Sequence, residues 1–345
     1  MHHRSLSIAG RFWALAAVTA AVTAAVTSPP AAAADPPPLE RVQTIALKGP
    51  TGGLDHLALD VKRGRLFVAN TVNGTLDIVD LRAGKLLKQV PGQGRIRGID
   101  YSPEVDRVFV GNGTGGVCNT FDGDTYELVK SVPLGDDADN VRYNLRTRRI
   151  YVVHADTELS VIDARDYTLR SPIALPKGLG AFKLEAGRPR MYVNAKEGNV
   201  VVIDTDKDEV IGRFPVAPAG VNAAVAIDEP NHRLFIGCRK NPALVVMNSD
   251  TGKIVASVPI PGDVDDLSFD ARRGRIYASC GEGAIAVIRQ IDPDRYESLA
   301  TIPTTGRART SIFNAETGQL YLAVPRSTNR SDQANPEVWV YQARP

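Results

Sequence analysis

Nine side chains spread along the sequence have the types that bind or react: His56, Arg97, Asp139, Asn140, Lys183, Asn222, Asp265, Asp266 and Arg309. The oxygens of Asp139, Asn140, Asn222 and Asp265 are hard ligands of the kind that hold Ca²⁺ or another divalent cation. Such a cation polarises a carbonyl and lowers the pKa of a bound water, which is the chemistry of a hydrolase. His56 is the candidate general base in that scheme, because an imidazole titrates near neutral pH. The competing reading needs no reaction. The acids are then solvated loop groups paired with Arg97, Arg142 or Arg309, and the polar set binds a small molecule or a protein partner.

What could bring residues so far apart together is a repeat. An apolar–aromatic–apolar triplet recurs around Phe67, Phe109, Tyr151, Tyr192, Phe235, Tyr277 and Tyr321, at spacings of 42, 42, 41, 43, 42 and 44. Eleven residues before these aromatics lie His56, Asn140 and Asp266; twelve before lie Arg97, Asp139, Asp265 and Arg309. Lys183 and Asn222 flank the same level. A period of about 40–45 residues built from short alternating strands is the signature of propeller blades. The fold class follows: all-β, a seven-bladed β-propeller of four-stranded antiparallel blades. In the first repeat the strands read Leu57–Asp60, Arg65–Asn70, Thr75–Asp80 and Lys85–Val90, separated by Gly- and Asn-rich turns. The seventh repeat ends one strand short, while Arg41–Leu47 precedes the first and reads like an outer strand. The N-terminal strand is therefore expected to complete the last blade and remove an open edge. In such a ring the polar positions meet at one mouth of the central channel, where loops carry function.

The blade text itself is recognisable. Arg65-Leu-Phe-Val-Ala-Asn-Thr71 with Gly74-Thr-Leu-Asp-Ile-Val-Asp80, and Arg149-Ile-Tyr-Val-Val153 with Leu159-Ser-Val-Ile-Asp163, resemble YVTN-type repeats. Across all seven repeats the chain resembles the YncE-like exported bacterial β-propellers, a resemblance that implies the fold and leaves activity open. The literal Tyr-Val-Thr-Asn string is absent, and Phe67-Val-Ala-Asn70 is its nearest form. The acid and amide set also resembles, in residue type, the metal site of lactonase-type propellers. No recurrent Trp-Asp pair occurs, which separates the chain from WD repeats.

The repeat explains most acids without function. Asp60, Ser102, Asn144, Glu185, Asp228, Asp270 and Asn314 end the first strand of each blade, and Asp80, Asp122, Asp163, Asp204 and Asn248 follow the third. Both sets are expected to bond turn backbone. Cys118, Cys238 and Cys280 have no CxxC spacing, and the latter two sit on neighbouring blades, too far apart for a disulfide. They read as reduced thiols. Gly111–Gly116 is a turn rather than a nucleotide loop, and neither GxSxG nor HExxH occurs.

Residues 1–34 read as a secretory signal peptide: Arg4 and Arg11, an apolar run over Phe12–Val26, then small residues up to Ala34. The propeller is assigned to residues 35–345, in the periplasm or outside the cell. The leader holds two of the 41 basic residues and none of the 39 acidic ones, so the remainder is balanced at 39 of each. That balance argues against nucleic acid. A monomer without a transmembrane segment after cleavage is expected, and no cofactor beyond the divalent cation.

Overall fold

The computed structural model describes residues 1, 2, 10, 36–155, 157–328 and 333–345; the expected leader lies almost wholly outside them. Among the described residues every regular element is a strand, grouped into seven four-stranded antiparallel sheets. The strands of each blade are called A to D from the channel outward. All four strands of the first blade fall where the turns place them: Leu57–Asp60, Arg65–Asn70, Thr75–Asp80 and Lys85–Val90.

Burial grades outward and explains the composition of each strand. Strand B is sandwiched between neighbouring blades, so Leu66, Phe67 and Val68 have no exposed surface. The seven repeat aromatics are all at most 2 % exposed. Strand D faces solvent on the rim and is built from residues such as Lys85, Lys88 and Gln89. Blade 3 departs from the pattern. Its D strand shrinks to Ile173–Ala174, between Pro172 and Pro176, whose missing N–H groups cannot join the ladder.

Four pairs of adjacent blades are stitched by an aromatic contact. A residue on strand A packs on the repeat aromatic of the preceding blade: Tyr101 on Phe67, Tyr143 on Phe109, Phe269 on Phe235, Phe313 on Tyr277. Ring centroids lie 5.2–5.5 Å apart. Each such pair adds about 0.5–1.5 kcal/mol beyond the area it buries.

Most turn acids act as the repeat implies, while Ser102, Glu185 and Asp228 bond neighbouring side chains instead of turn backbone. Asp60, Asn144, Asp270 and Asn314 accept backbone N–H groups of the A–B turn. Asp80, Asp122, Asp163, Asp204 and Asn248 accept N–H groups after strand C. All three cysteines are free and buried, and burial pushes their thiols up to about 12.

The ring is closed by the N-terminal strand. Leu39–Ala46 pairs antiparallel with Glu337–Ala343 as the outer strand of the seventh blade. Leu39, Ile45 and Leu47 are each 1 % exposed, and the Arg41 guanidinium covers the Trp339 ring at 4.3 Å. Among the described residues no helix is long and apolar enough to cross a membrane.

Candidate functional site

The approach to strand A is irregular, and that irregularity aims side chains into the mouth. The register between strands A and B slips after Ile96 in blade 2, Leu179 in blade 4, Asn222 in blade 5 and Val264 in blade 6. The extra residues are those at and beside the mouth positions, Arg97, Gly180, Ala223 and Asp265 among them. A bulge re-aims side chains in this way. Two residues upstream of these positions the backbone turns left-handed, at Arg95, Val221, Asp263 and Arg307, with φ of 51° to 67°. For Val221, a β-branched residue, that conformation is strained.

Gly98 and Gly111 let blade 3 come close. A methyl group on Gly98 would stand 2.1 Å from the Asp139 carbonyl oxygen, and one on Gly111 2.4 Å from it. Instead the Gly98 N–H donates to that carbonyl at 3.1 Å, which fixes Asp139 at the rim.

The mouth is a cavity of about 170 Å³ whose polar lining comes from Asp55, His56, Arg97, Asp139, Asn140, Lys196, Arg239, Asp265 and Arg309. Arg97 donates to Asp139 at 2.6 Å. Arg239 pairs with Asp265, and Arg309 pairs with Asp265 at 2.9 Å and Asp263 at 2.8 Å. Arg97, Asp139, Asn140, Asp265 and Arg309 therefore converge as the repeat register implies.

His56 sits at the floor of the mouth, 3.6 Å from both Asp55 and Asp266. Burial opposes its charge, but the facing carboxylates of Asp266 and Asp55 outweigh burial and raise its pKa to about 10. Asp55 is itself raised to about 6 by burial, against the pull of His56 and with the repulsion of Asp139 and Asp265. His56 is thus an imidazolium at neutral pH. In that form it can donate hydrogen bonds, and the upward direction of the shift counts against a role as general base.

Three further expectations are corrected. Asn222 turns away from the mouth: it has no exposed surface, donates to the Asn199 carbonyl at 3.0 Å, and accepts from the Cys238 thiol at 3.6 Å. The bulge after Asn222 gives the rim position to Ala223 instead. Lys183 lies deeper, in the channel below the mouth. Asp266 also lines that lower cavity, where it accepts the Ser311 N–H at 2.9 Å. Of the four expected cation ligands, Asp139, Asn140 and Asp265 line the same cavity and Asn222 does not. Asp139 and Asp265 are held by guanidinium groups, and Asn222 points elsewhere. Among the described residues no group of three or more His, Cys, Asp or Glu is arranged to hold a metal ion.

Two mouth cations escaped the register argument. Lys196 and Arg239 stand four residues after their blade's aromatic, just past strand B in blade 4 and near its end in blade 5. That register position was the available signal; the residue before it turns inward and is buried as Cys238 or Ala195.

No protein-family model matches the chain. It is similar to the uncharacterized protein YncE of Salmonella typhimurium, 23 % identical over 274 residues, covering 78 % of this chain and 68 % of that one. YncE of Escherichia coli O157:H7 is 22 % identical over 273 residues, with the same coverage. Among solved structures it superposes on the WD40 repeats of RRP9 with a TM-score of 0.75, at 12 % identity over 87 % of this chain and 97 % of that one. Hydrazine synthase of Kuenenia stuttgartiensis gives 0.71, at 14 % identity over 80 % and 94 %. At such identities the solved structures show the fold alone. The class is a seven-bladed β-propeller. In sequence the chain is similar to the YncE proteins.

Proposed function

We propose that the chain is a non-catalytic binding scaffold that engages its ligand through the charged mouth of the channel. The observation that supports this most is Asn140. Its side chain is 4 % exposed, lines the mouth cavity, and leaves its buried Oδ1 without a hydrogen-bond partner among the described residues. An unmet buried acceptor costs about 1–3 kcal/mol, which a bound donor would recover. The arginine-locked carboxylates and the protonated His56 favour recognition over proton transfer.

The cavity volume bears on what is bound. About 170 Å³ is below the range of roughly 300–1,000 Å³ typical of small-molecule sites. It suits a small polar compound or one inserted side chain of a protein partner. A thermal-shift screen with small polar compounds, lactones and divalent ions tests this, since a ligand specific to the folded state raises the melting temperature. The expected result is a rise for the wild type that Asn140→Ala abolishes. A rise that survives Asn140→Ala contradicts the mouth as the site; no rise with any compound directs the reading to a protein partner.

The same reading carries export. The order of residues 1–34 supports it, and the mass of the protein recovered outside the cytoplasm tests it. A chain beginning at Asp35 is expected, and one that retains Met1 contradicts cleavage.

A further inference from the structure

Below the mouth the channel opens into a second cavity of about 470 Å³, with His56 lining both. It extends to Val61 and Ala315 in the A–B turns, at the end of the channel opposite the mouth. Nine residues before the repeat aromatic, each strand A contributes a residue to its wall. Blades 2, 3 and 4 give Asp100, Arg142 and Lys183 in succession. The other blades give only Ala58, Ala226, Ser268 and Ile312. At this level the charged side chains come from three successive blades. His56 of blade 1 and Asp266 of blade 6 add theirs two residues nearer the mouth.

Here the charges are not locked into direct ion pairs as they are at the mouth, although Asp100 lies near enough to act on both Arg142 and Lys183. Among the described residues, no carboxylate lies within ion-pair distance of Arg142 or Lys183. The Lys183 ammonium meets no hydrogen-bond acceptor among the described residues. Arg142 donates to the Val141 carbonyl at 2.6 Å and lies 5.8 Å from the Phe182 ring. Asp100 already accepts the Tyr143 N–H at 2.7 Å. The surroundings of Lys183 and the neighbouring Arg142 lower its pKa, against the opposing pull of Asp100 and Glu229. Arg142 is half-buried and Lys183 reaches the open channel, so both cationic heads are accessible to an anion entering it. Toward the opposite end the cavity is apolar, lined by Leu59, Ile227, Phe269 and Phe313. Its volume lies within the range of small-molecule sites, unlike that of the mouth.

We propose that this lower chamber binds a small organic anion. Its carboxylate or phosphate group is held between Arg142 and Lys183, and its apolar body lies against Leu59, Ile227, Phe269 and Phe313. The site is separate from the mouth and stands whether or not the mouth binds a partner.

Calorimetric titration of the full chain with octanoate, octyl phosphate and 1-octanol tests the proposal. The two anions distinguish the head groups, and octanol carries the same body without charge. At least one anion is expected to bind one-to-one and about tenfold more tightly than octanol, as charge-assisted hydrogen bonds require. Lys183→Met is expected to weaken that anion about tenfold, Lys183→Arg to keep most of the affinity, and Lys207→Met on the exposed rim to change nothing. Binding of neither anion, equal binding of octanol, or unchanged binding by Lys183→Met overturns the proposal. Should Lys183→Met not fold, the comparison of anion with octanol on the wild type decides alone.

Discussion

At the scale of single residues, the channel mouth is governed by how its charges are paired. His56 illustrates the consequence. Its folded pKa is raised from 6.5 to about 10, so its contribution to stability is full below about pH 6.5 and is lost as pH rises through about 10. Asp55, raised from 3.8 to about 6, contributes below its ordinary value and loses that contribution as pH rises through about 6. NMR titration of the imidazoles is expected to show no midpoint for His56 between pH 5 and 8. A midpoint near 6.5 would return it to the role of a base. Residue type and register were enough to find Arg97, Asp139, Asn140, Asp265 and Arg309. They were not enough for Asn222, because a side chain's direction past a bulge depends on one inserted residue that has no distinctive chemistry of its own.

At the scale of elements, strands and turns were legible because each is dictated locally. Strand B must bury both faces and reads as an apolar run around an aromatic; the turns need Gly, Asn or Asp. The bulges before strand A and the shortened outer strand of blade 3 were not legible in advance, since both depend on neighbouring strands. Gly98 belongs to this level. A Cβ there would meet the backbone of Asp139 and Asn140, which no rotamer change can relieve. Gly98→Ala is therefore expected to destabilise the fold by about 1–3 kcal/mol, as overpacking does, and to displace Asp139 from Arg97. Thermal denaturation checks the first effect; an unchanged melting temperature would show that blades 2 and 3 are less tightly joined than the contact implies.

At the scale of the whole molecule, the ring depends on a strand from the far end of the chain. Seven blades with the closing strand contributed by residues 39–46 follow from the repeat count, because the last repeat is one strand short. Truncation that removes residues 36–47 should expose the Glu337–Ala343 edge and the apolar surface that Leu39, Ile45 and Leu47 cover. The expected outcome is a chain that aggregates or loses its cooperative unfolding transition. A truncated chain that stays monomeric and melts like the wild type contradicts the closure as a stabilising feature. The same closed architecture is what holds the mouth and the lower chamber in fixed positions on one axis. On the proposed reading, function then lies in loops and channel rather than in the blades.

The central claim is that the charged mouth is where this scaffold binds. Its most direct test is calorimetric titration of the compound or partner found by screening into the wild type and into Arg239→Gln with Lys196→Met. The double variant is expected to bind about tenfold more weakly or worse, with its fold intact by circular dichroism. Unchanged affinity in that variant would contradict the claim.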